Sequence, residues 1–423
     1  MDKRVSQRKI TQERHKSQTC KVFEIKIDSS HLSQKSLKHL SSLFTEAKWF
    51  YNYCLNQEDI NDSDTTLKIV PVKVKDEFEN RNFSVLSSQM KQAIKTRLFN
   101  SLSSLKALKK QGYKVGRLKY RTRINSIPLK QYNKTFDMDF DNSKIRVQGL
   151  KKWIRAIGLK QIPKNCEIAN ATLIRKPSGF YFHITTFTTK EERIVPETSI
   201  GIDFGCETQL TLSDGTKIEF QVPVSKRLKR LDRRITRKQF NGKFREKSKK
   251  KYQDQIKRQR EYEKLTNQKK DIRNKIVSVL TKNYKYVCFQ DESIHAWTMC
   301  NHGKKIQNSG IGGIISDLKN KSVTPIEVNK FFPSTQICPE CGDKHKLSLS
   351  ERVYVCNKCG YINDRDVKSA ICIEKEGMNN FFKEKNIPVD YRDFKTREIL
   401  SSTVFVLLSK IANVNISKMK SVN

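Results

Sequence analysis

The sequence has no long apolar run and comparatively little negative charge. No stretch of about 18 uninterrupted apolar residues occurs, so we expect no membrane span and no membrane partner. The first 19 residues are charged and lack the apolar core of a signal peptide, which predicts a disordered basic arm over residues 1–19, either solvated or touching a polyanion. Only 44 Asp and Glu oppose 84 Lys and Arg, giving a formal charge of +40. Such an excess indicates a long polyanionic partner, with a basic ribosomal-type protein as the alternative.

The cysteines do not follow the spacing of a disulfide framework. Seven of the eleven are scattered, and four form two Cys-x-x-Cys pairs. Free thiols favour a reducing compartment, so we expect the protein in the cytoplasm. Two such pairs let four thiolates surround Zn²⁺ as a tetrahedron. We therefore predict a structural zinc ribbon over residues 335–359, with four unmetallated thiols as the alternative and with these ligands: Cys338, Cys341, Cys356 and Cys359.

The first half of the chain predicts a small β-barrel or sheet with a helical insertion after its first strand. Residues 20–28 alternate apolar and polar side chains, as a half-buried strand does. Apolar residues then recur at helical spacing in two regions between residues 34 and 110, separated by a polar, irregular stretch at 57–80. Short strand-like runs fill residues 126–189, and Lys176-Pro177-Ser178-Gly179 predicts a hairpin connector.

A second domain begins near residue 198, after a polar linker. Its first strand is followed by a predicted type I′ hairpin at Asp214-Gly215. Residues 226–275 carry 22 Lys and Arg against 6 Asp and Glu, which predicts a long basic helix or a helical hairpin. This charge suits contact with nucleic acid, although a solvated helix face is the alternative. A strand over 284–292, a helix over 314–320 and a strand over 323–328 follow.

Acidic residues stand at the edges of three predicted elements. Asp203 lies within the apolar strand Gly-Ile-Asp-Phe-Gly, where an unpaired carboxylate is costly unless it binds a cation. Asp291 and Glu292 end the strand Tyr-Val-Cys-Phe-Gln, and Asp366 begins the helix that follows the ribbon. Carboxylate oxygens are ligands that Mg²⁺ prefers. A set drawn from a strand, a second strand and a helix start is typical of RNase H-like nucleases with two Mg²⁺ ions.

Three motifs follow one another in the second half of the chain: GIDFG, QDESIHAW and the four-cysteine ribbon leading into DRDVKSA. In this order they resemble the RuvC domain of the TnpB family. TnpB proteins are transposon-encoded RNA-guided nucleases, related to the miniature type V-F CRISPR effectors. Three further segments extend the resemblance over roughly residues 20–375: KWFYNYCLNQ, RKPSGFYFHITTF and PSTQICPECG. It implies a multidomain α+β protein whose parts are a wedge-type β-barrel (20–33 and 121–190), an inserted helical recognition lobe (34–120), an RNase H-like RuvC α/β nuclease domain (198–334 and 360–423) and an inserted zinc ribbon that binds target nucleic acid (335–359).

The resemblance implies an RNA-guided DNA endonuclease. A guide RNA would pair with target double-stranded DNA beside a short flanking motif, and one two-Mg²⁺ site would cut it. Asp203 and Asp366 match the first and third catalytic carboxylates; Glu292 is our choice for the second, ahead of Asp291. The family's Glu-Asp-Leu strand end reads Gln290-Asp291-Glu292 here, and its Asp-x-Asn-Ala-Ala reads Asp366-Val-Lys-Ser-Ala.

Several alternatives stay open after this comparison of motifs. One is a nuclease-inactive RNA-guided repressor, and a weaker one is a transposase, since no recombinase motif stands out. Relatives act as monomers or as homodimers, and either state fits this chain. The resemblance also implies a prokaryotic cell, with the protein at the nucleoid when it is bound to DNA.

Overall fold

The computed structural model describes residues 3–74, 77–150, 152–191, 193–220, 222–237, 249–299, 303, 306, 309–348, 350–386 and 398–418. The chain divides into two compact units, Met1–Glu191 and Glu192–Asn423. Within the described residues, no helix is both long enough and apolar enough to cross a membrane.

The N-terminal unit is built on a seven-stranded antiparallel sheet. Its elements are α1 (Lys3–Lys16), β1 (Gln18–Ile27), α2 (Gln34–Leu55), β2 (Ile69–Val74), β3 (Glu77–Asn82), α3 (Ser88–Lys110), β4 (Ser126–Leu129), β5 (Phe136–Asp139), β6 (Lys144–Val147), β7 (Ile154–Ile157), β8 (Glu167–Lys176) and β9 (Gly179–Thr189). The strand order is β4-β8-β9-β1-β7-β6-β5. In the part of the chain that the structure describes, β4 and β5 do not pair, so the expected barrel is a nearly closed, barrel-like sheet. The predicted connector at Pro177-Ser178 joins β8 to β9.

The two long helices of this unit share one hydrophobic core with the sheet. Apolar side chains spaced three and four residues apart along α2 and α3 are buried against the strands. Phe44 of α2, for example, stacks on Phe180 of β9 with ring centroids 5.8 Å apart. The insertion is not all helical, because β2 and β3 pair as antiparallel strands over residues 69–82, which overlap the stretch predicted to be irregular. Strand β3 is exposed throughout and has no apolar alternation, which is why the sequence predicted irregular structure there.

The prediction of a disordered arm over residues 1–19 is wrong for its described part. Helix α1 covers Lys3–Lys16, and β1 begins at Gln18. The end of α1 docks on the sheet: His15 stacks on Phe187 at 3.7 Å between ring centroids, and the Arg14 guanidinium lies 2.7 Å from a Glu167 carboxylate oxygen. The helix is held by an aromatic stack and an ion pair at one end, rather than by the apolar stripe that signals a packed helix in a sequence.

A buried carboxylate fixes the start of α3. Glu46 of α2 is only 3% exposed, and its two oxygens accept hydrogen bonds from the backbone N–H groups of Ser84 (3.0 Å), Val85 (3.0 Å) and Leu86 (2.8 Å). The next residue, Ser87, caps α3 by accepting from the Met90 N–H. One side chain on α2 therefore satisfies the turn that leads into α3.

The C-terminal unit contains a six-stranded mixed sheet with helices on both faces. Its elements are β10 (Ser199–Phe204), β11 (Leu210–Leu212), β12 (Thr216–Phe220), α4 (Lys226–Arg237), α5 (Lys249–Asn283), β13 (Tyr286–Gln290), α6 (Ile294–Met299), α7 (Ile311–Lys321), β14 (Thr324–Val328), β15 (Val353–Val355), β16 (Ile362–Asp364), α8 (Arg365–Lys385), α9 (Glu398–Ser409) and β17 (Val414–Lys418). The sheet order is β14-β13-β10-β11-β12-β17, with β10, β13 and β14 parallel.

This sheet is covered on two sides by separate cores. Helices α5, α7 and α9 pack with β10 to β13 in one cluster, and α8 packs on β13 and β14 in another. Strand β13 is buried at every position, as a parallel strand between two helical layers must be. The predicted strands near 284–292 and 323–328 and the helix near 314–320 are confirmed. The basic region is a helical hairpin of α4 and α5, and residues 238–248 between them lie outside the described residues.

The turn at Asp214-Gly215 differs from the prediction. Three residues, 213–215, connect β11 to β12, and among them only Gly215 has a positive φ, of 84°. A type I′ turn requires two such residues, so that assignment is wrong. The Asp214 side chain instead accepts a hydrogen bond from the Thr216 N–H at 2.9 Å.

Replacing Glu46 tests the support of α3. Glu46→Ala leaves three backbone N–H groups without their acceptor, so we expect the free energy of unfolding to fall by about 3 kcal/mol. Urea titration measures this change. Glu58→Ala, at an exposed position at the end of the same region, is the control and should change stability little. Equal stability of the two variants would contradict the role assigned to Glu46.

Candidate functional site

Strand β10, which contains Asp203, packs against helix α8 so closely that no side chain fits between them at Gly201. A Cβ added at Gly201 of β10 would lie 2.1 Å from the Ala370 carbonyl oxygen and 2.7 Å from the Glu374 Cβ. Further along α8, a Cβ at Gly377 would lie 3.0 Å from the Cys288 sulfur of β13. Glycine is therefore required at Gly201 for steric reasons, and its absence of a side chain brings the start of α8 next to Asp203.

The start of α8 is fixed by Asp364. One oxygen of this N-cap residue accepts hydrogen bonds from the N–H groups of Asp366 (3.0 Å) and Val367 (3.1 Å). Its other oxygen accepts from the Lys217 ammonium of β12 at 2.8 Å, and both side chains are largely buried. The same ammonium lies 4.0 Å from an Asp366 oxygen. Lys217 thus ties the helix start to the sheet and orients Asp366 in the first turn.

The two candidates for the middle acid point to different surroundings. Glu292 is partly buried and lines a cavity that also contains Asp203 and Asp366. Asp291 is exposed, outside that lining, and its carboxylate lies 3.4 Å from the Lys319 ammonium. The geometry brings Glu292, not Asp291, together with the other two predicted carboxylates.

The cavity has a volume of about 590 Å³ and is lined by charges of both signs. Four carboxylates line it. Asp203 comes from β10, Glu292 from just past the end of β13 and Asp366 from α8, and the fourth, Glu207, lies 3.1 Å from the Arg352 guanidinium. Cationic side chains share the lining: Lys330, Arg352 and Arg365. A cavity lined by both acids and cations can hold a divalent cation and a phosphate group together.

Burial and neighbouring carboxylates disfavour ionisation of the Asp203 carboxyl. Burial, followed by the charges of Asp366 and Glu292, raises the pKa of its carboxyl to about 8. Burial also raises the pKa of Glu292, with the Asp291 charge adding to the effect. Loss of hydration is thus the first cause of both shifts and the neighbouring carboxylates are the second, and a bound cation would offset that repulsion.

The four predicted zinc ligands form a tight cluster. Among the described residues, it is the only group of three or more His, Cys, Asp or Glu side chains placed so that it could hold a metal ion, and its four sulfurs lie within 4.8 Å of one another. The three carboxylates do not form such a group. The Cys338–Cys359 and Cys341–Cys356 sulfur distances are 3.6 and 3.5 Å. Sulfurs at 2.3 Å from a tetrahedral Zn²⁺ would lie about 3.8 Å apart.

Each Cys-x-x-Cys pair forms the same turn. The N–H of Gly342 donates to the Cys338 carbonyl, and the N–H of Gly360 donates to the Cys356 carbonyl, both at 3.0 Å. Both glycines have positive φ, of 72° and 76°. Backbone N–H groups of Cys359 and Lys358 lower the pKa of the Cys356 thiol to about 6, favouring the thiolate that binds metal.

Sequence reasoning missed the cationic and polar residues of the site. Lys217 lies 147 positions before its partner Asp364, and no local pattern connects the two. Lys330 and Arg352 are two among 84 basic residues and belong to no motif, and Arg365 lies within DRDVKSA but was given no role there. A local signal was available for Asp364: an Asp placed just before a predicted helix favours an N-cap, which is its role in the structure.

Two family models match separate stretches of the chain, one within the C-terminal unit and one that begins at residue 183, shortly before that unit. The "Cas12f1-like, TNB domain" model matches residues 314–373, and the OrfB_IS605 model, described as "Probable transposase", matches residues 183–291. The first spans the ribbon and the start of α8, and the second contains Asp203 and ends at Asp291. Together with the relatives below, these matches confirm the resemblance to the TnpB family and to the miniature type V-F effectors.

Two curated relatives bear the name of RNA-guided DNA endonucleases. One, from Streptomyces pristinaespiralis, is 26% identical over 234 residues, which cover 52% of this chain and 55% of the relative. The other, InsQ of Escherichia coli (strain K12), is 26% identical over 269 residues, covering 57% of this chain and 63% of the relative. The matched stretches thus span less than two thirds of these relatives.

A solved structure, the cryo-EM structure of the Cas12f1–sgRNA–target DNA complex, aligns with 85% of this chain and 99% of its own chain. The TM-score is 0.46 and the sequence identity is 11%.

Adding one methyl group at Gly201 tests the contact between β10 and α8. In Gly201→Ala the new Cβ overlaps the Ala370 carbonyl, so we expect a loss of stability of about 3 kcal/mol or more, measured by urea titration. Gly116→Ala is the matched control, because nothing lies within 4 Å of a Cβ there. A Gly201→Ala protein as stable as this control would disprove the close contact.

Proposed function

We propose that this protein is an RNA-guided DNA endonuclease. The observation that carries the proposal is the convergence of Asp203, Glu292 and Asp366 on one cavity, from three elements of the C-terminal unit. The relatives named RNA-guided DNA endonucleases support the reaction class. The substrate is target double-stranded DNA beside a short flanking motif, selected by pairing with a guide RNA.

The domain assignment follows from this function. Residues 198–334 and 360–423 form the RuvC-like nuclease domain, and residues 335–359 form the zinc ribbon that contacts target nucleic acid. Residues 20–33 and 121–190 form the wedge-type barrel, and residues 34–120 form the recognition lobe. The mixed sheet with helices on both faces supports the nuclease assignment. So does the origin of the three acids, which come from one strand, from just past the end of a second strand and from the start of a helix.

The carboxylate cavity fits Mg²⁺ by its chemistry. Asp203, Glu292 and Asp366 offer the hard oxygen ligands that this ion prefers. Burial, followed by the charges of Asp366 and Glu292, raises the pKa of Asp203, and a cation would offset that repulsion. When bound, Mg²⁺ activates water and stabilises the leaving oxygen of a phosphodiester. Lys330, Arg352 and Arg365 would hold the phosphates of the bound strand, and Lys217 with Asp364 keeps Asp366 facing the cavity.

The charge of the chain supports a nucleic-acid partner. The α4–α5 hairpin concentrates basic residues, and its acids are used within the hairpin: Asp254 lies 3.2 Å from Arg234, and Glu261 lies 3.5 Å from Arg227. Most remaining cations face outward, where a guide RNA and its heteroduplex would neutralise them. We propose guide RNA and target DNA as partners.

A second candidate is a guided DNA binder that does not cut. It is favoured by Gln290, which stands at the strand end where the related motif carries an acid. Glu292, two residues further on, lines the cavity and favours the nuclease. A cleavage assay with the RNA that copurifies with the protein, and with Mg²⁺, distinguishes the two.

Neutralising the carboxylates separates cleavage from binding. In Asp203→Asn and Glu292→Gln we expect cleavage to fall by at least about 100-fold, because cation binding is lost, while guide RNA and target binding stay nearly unchanged. Gel-shift and cleavage assays on the same samples measure both. Asp291→Asn is the matched control and should cut normally. Loss of RNA binding in Asp203→Asn would instead mean a structural role for Asp203.

The ribbon should contain one zinc ion per chain. Elemental analysis of the purified protein is expected to find it, and Cys338→Ser with Cys356→Ser should remove it and loosen the ribbon. Cys20→Ser, at an exposed cysteine outside the cluster, should keep the metal. A metal-free protein with an intact ribbon would contradict the zinc site.

A further inference from the structure

The side chain of Gln290 is bound to a distant part of the chain. Gln290 is the last residue of β13 and is 6% exposed. Its Nε2 lies 3.0, 3.1 and 2.8 Å from the carbonyl oxygens of Asn329, Lys330 and Phe332. Three acceptors thus surround an amide group that has two hydrogens. These carbonyls belong to residues 329–337, which lead from β14 into the ribbon and are called here the ribbon-entry segment.

Ser334 connects this segment to Gln290 and to helix α8. Its hydroxyl lies 3.4 Å from the Gln290 side-chain oxygen and accepts from the Ser369 hydroxyl at 2.9 Å. Its carbonyl oxygen accepts from the Lys368 ammonium at 2.9 Å. The side chains of all four residues are buried: Gln290, Ser334, Lys368 and Ser369. Their polar groups are shielded from bulk water, so these contacts supply the hydrogen bonds that they need.

Helix α8 donates to the segment and to the ribbon at successive turns. The Lys368 ammonium also reaches the Ile337 carbonyl at 3.2 Å, which Cys372 contacts at 3.3 Å. One turn further, the Lys375 ammonium donates to the Pro339 carbonyl at 2.7 Å. Residues spaced three and four apart lie on one helix face, so this face of α8 and the Gln290 side chain both bind the segment.

The ribbon-entry segment forms one wall of the carboxylate cavity. Lys330, Phe332, Ser334 and Thr335 all line it. Ser369 lies one turn after Asp366 on α8, and its hydroxyl donates to the Ser334 hydroxyl of this wall at 2.9 Å. Three of the positions at which the chain departs from the related motifs therefore meet at this wall: Gln290, Lys368 and Ser369.

We propose that Gln290 is a positioning residue whose amide, together with Ser334 and Ser369, fixes the ribbon-entry segment as a wall of the carboxylate cavity. The proposal rests on the nuclease function for its kinetic readout. It explains why the strand ends in an amide: a carboxylate at Gln290 would meet three carbonyl oxygens with no hydrogen to share. The acidic role then falls to Glu292, beyond the strand.

The test compares Gln290→Glu with Gln290→Met in the full chain with guide RNA and Mg²⁺. In single-turnover cleavage we expect each rate to fall roughly 100-fold, since misplacing a site wall by about 1 Å costs that much, while the target Kd stays within about two-fold. Amide hydrogen exchange should speed up in residues 329–337 and stay unchanged in β10. Ser316→Ala, at an exposed serine of α7, is the control.

A double-mutant cycle tests the network itself. If Ser334 and Ser369 act through their shared hydrogen bond, the Ser334→Ala, Ser369→Ala double variant should cut no more slowly than the slower single variant. Independent, additive losses would remove Ser369 from the network.

Two outcomes would overturn the role of Gln290. Faster cleavage by Gln290→Glu would make residue 290 a lost acid position, and unchanged cleavage and exchange in Gln290→Met would remove its positioning role. If the unaltered protein does not cleave, the nuclease proposal fails by itself, and the exchange measurement still decides whether Gln290 holds the segment.

Discussion

The C-terminal unit depends on the direct contact between β10 and α8 at Gly201. Because this strand has no side chain at that position, the helix backbone rests against it, and the first turn of α8 reaches the level of Asp203. The helix then carries Asp366 to the cavity, Lys368 and Ser369 to the ribbon-entry segment, and Lys375 to the ribbon. One steric requirement therefore aligns the acids and supports the ribbon.

Charge is distributed unevenly in this protein. A chain with a net charge of +40 collects carboxylates at one cavity, where burial and mutual repulsion raise the pKa of Asp203 to about 8. Cationic side chains line the same cavity, and the basic hairpin of α4 and α5 lies in the same unit. This pattern suits a site that binds both a divalent cation and a polyanion.

Features encoded by neighbouring residues were predictable. The Cys-x-x-Cys pairs fold as two local turns, Asp364 caps the helix that follows it, and the apolar run of β13 is a buried strand. Predictions failed where tertiary contacts, rather than a periodic pattern of apolar residues, hold an element in place. Helix α1 is held by one stack and one ion pair, β3 has no apolar alternation, and the turn at Gly215 contains one residue more than a type I′ turn. Nothing near Gln290 in the sequence indicates that its partners lie 39 to 42 positions later.

The sequence by itself determined the chemistry available: four thiols at ligand spacing, carboxylates at the ends of elements, and a large basic excess. Motif and charge are properties of residue types and short spacings, so they can be read along the chain. Only the tertiary structure decided which residues meet. It placed Glu292 rather than Asp291 beside Asp203, and it paired Lys217 with Asp364. Those choices depend on strand order and on the close packing of α8, which act between positions far apart in sequence.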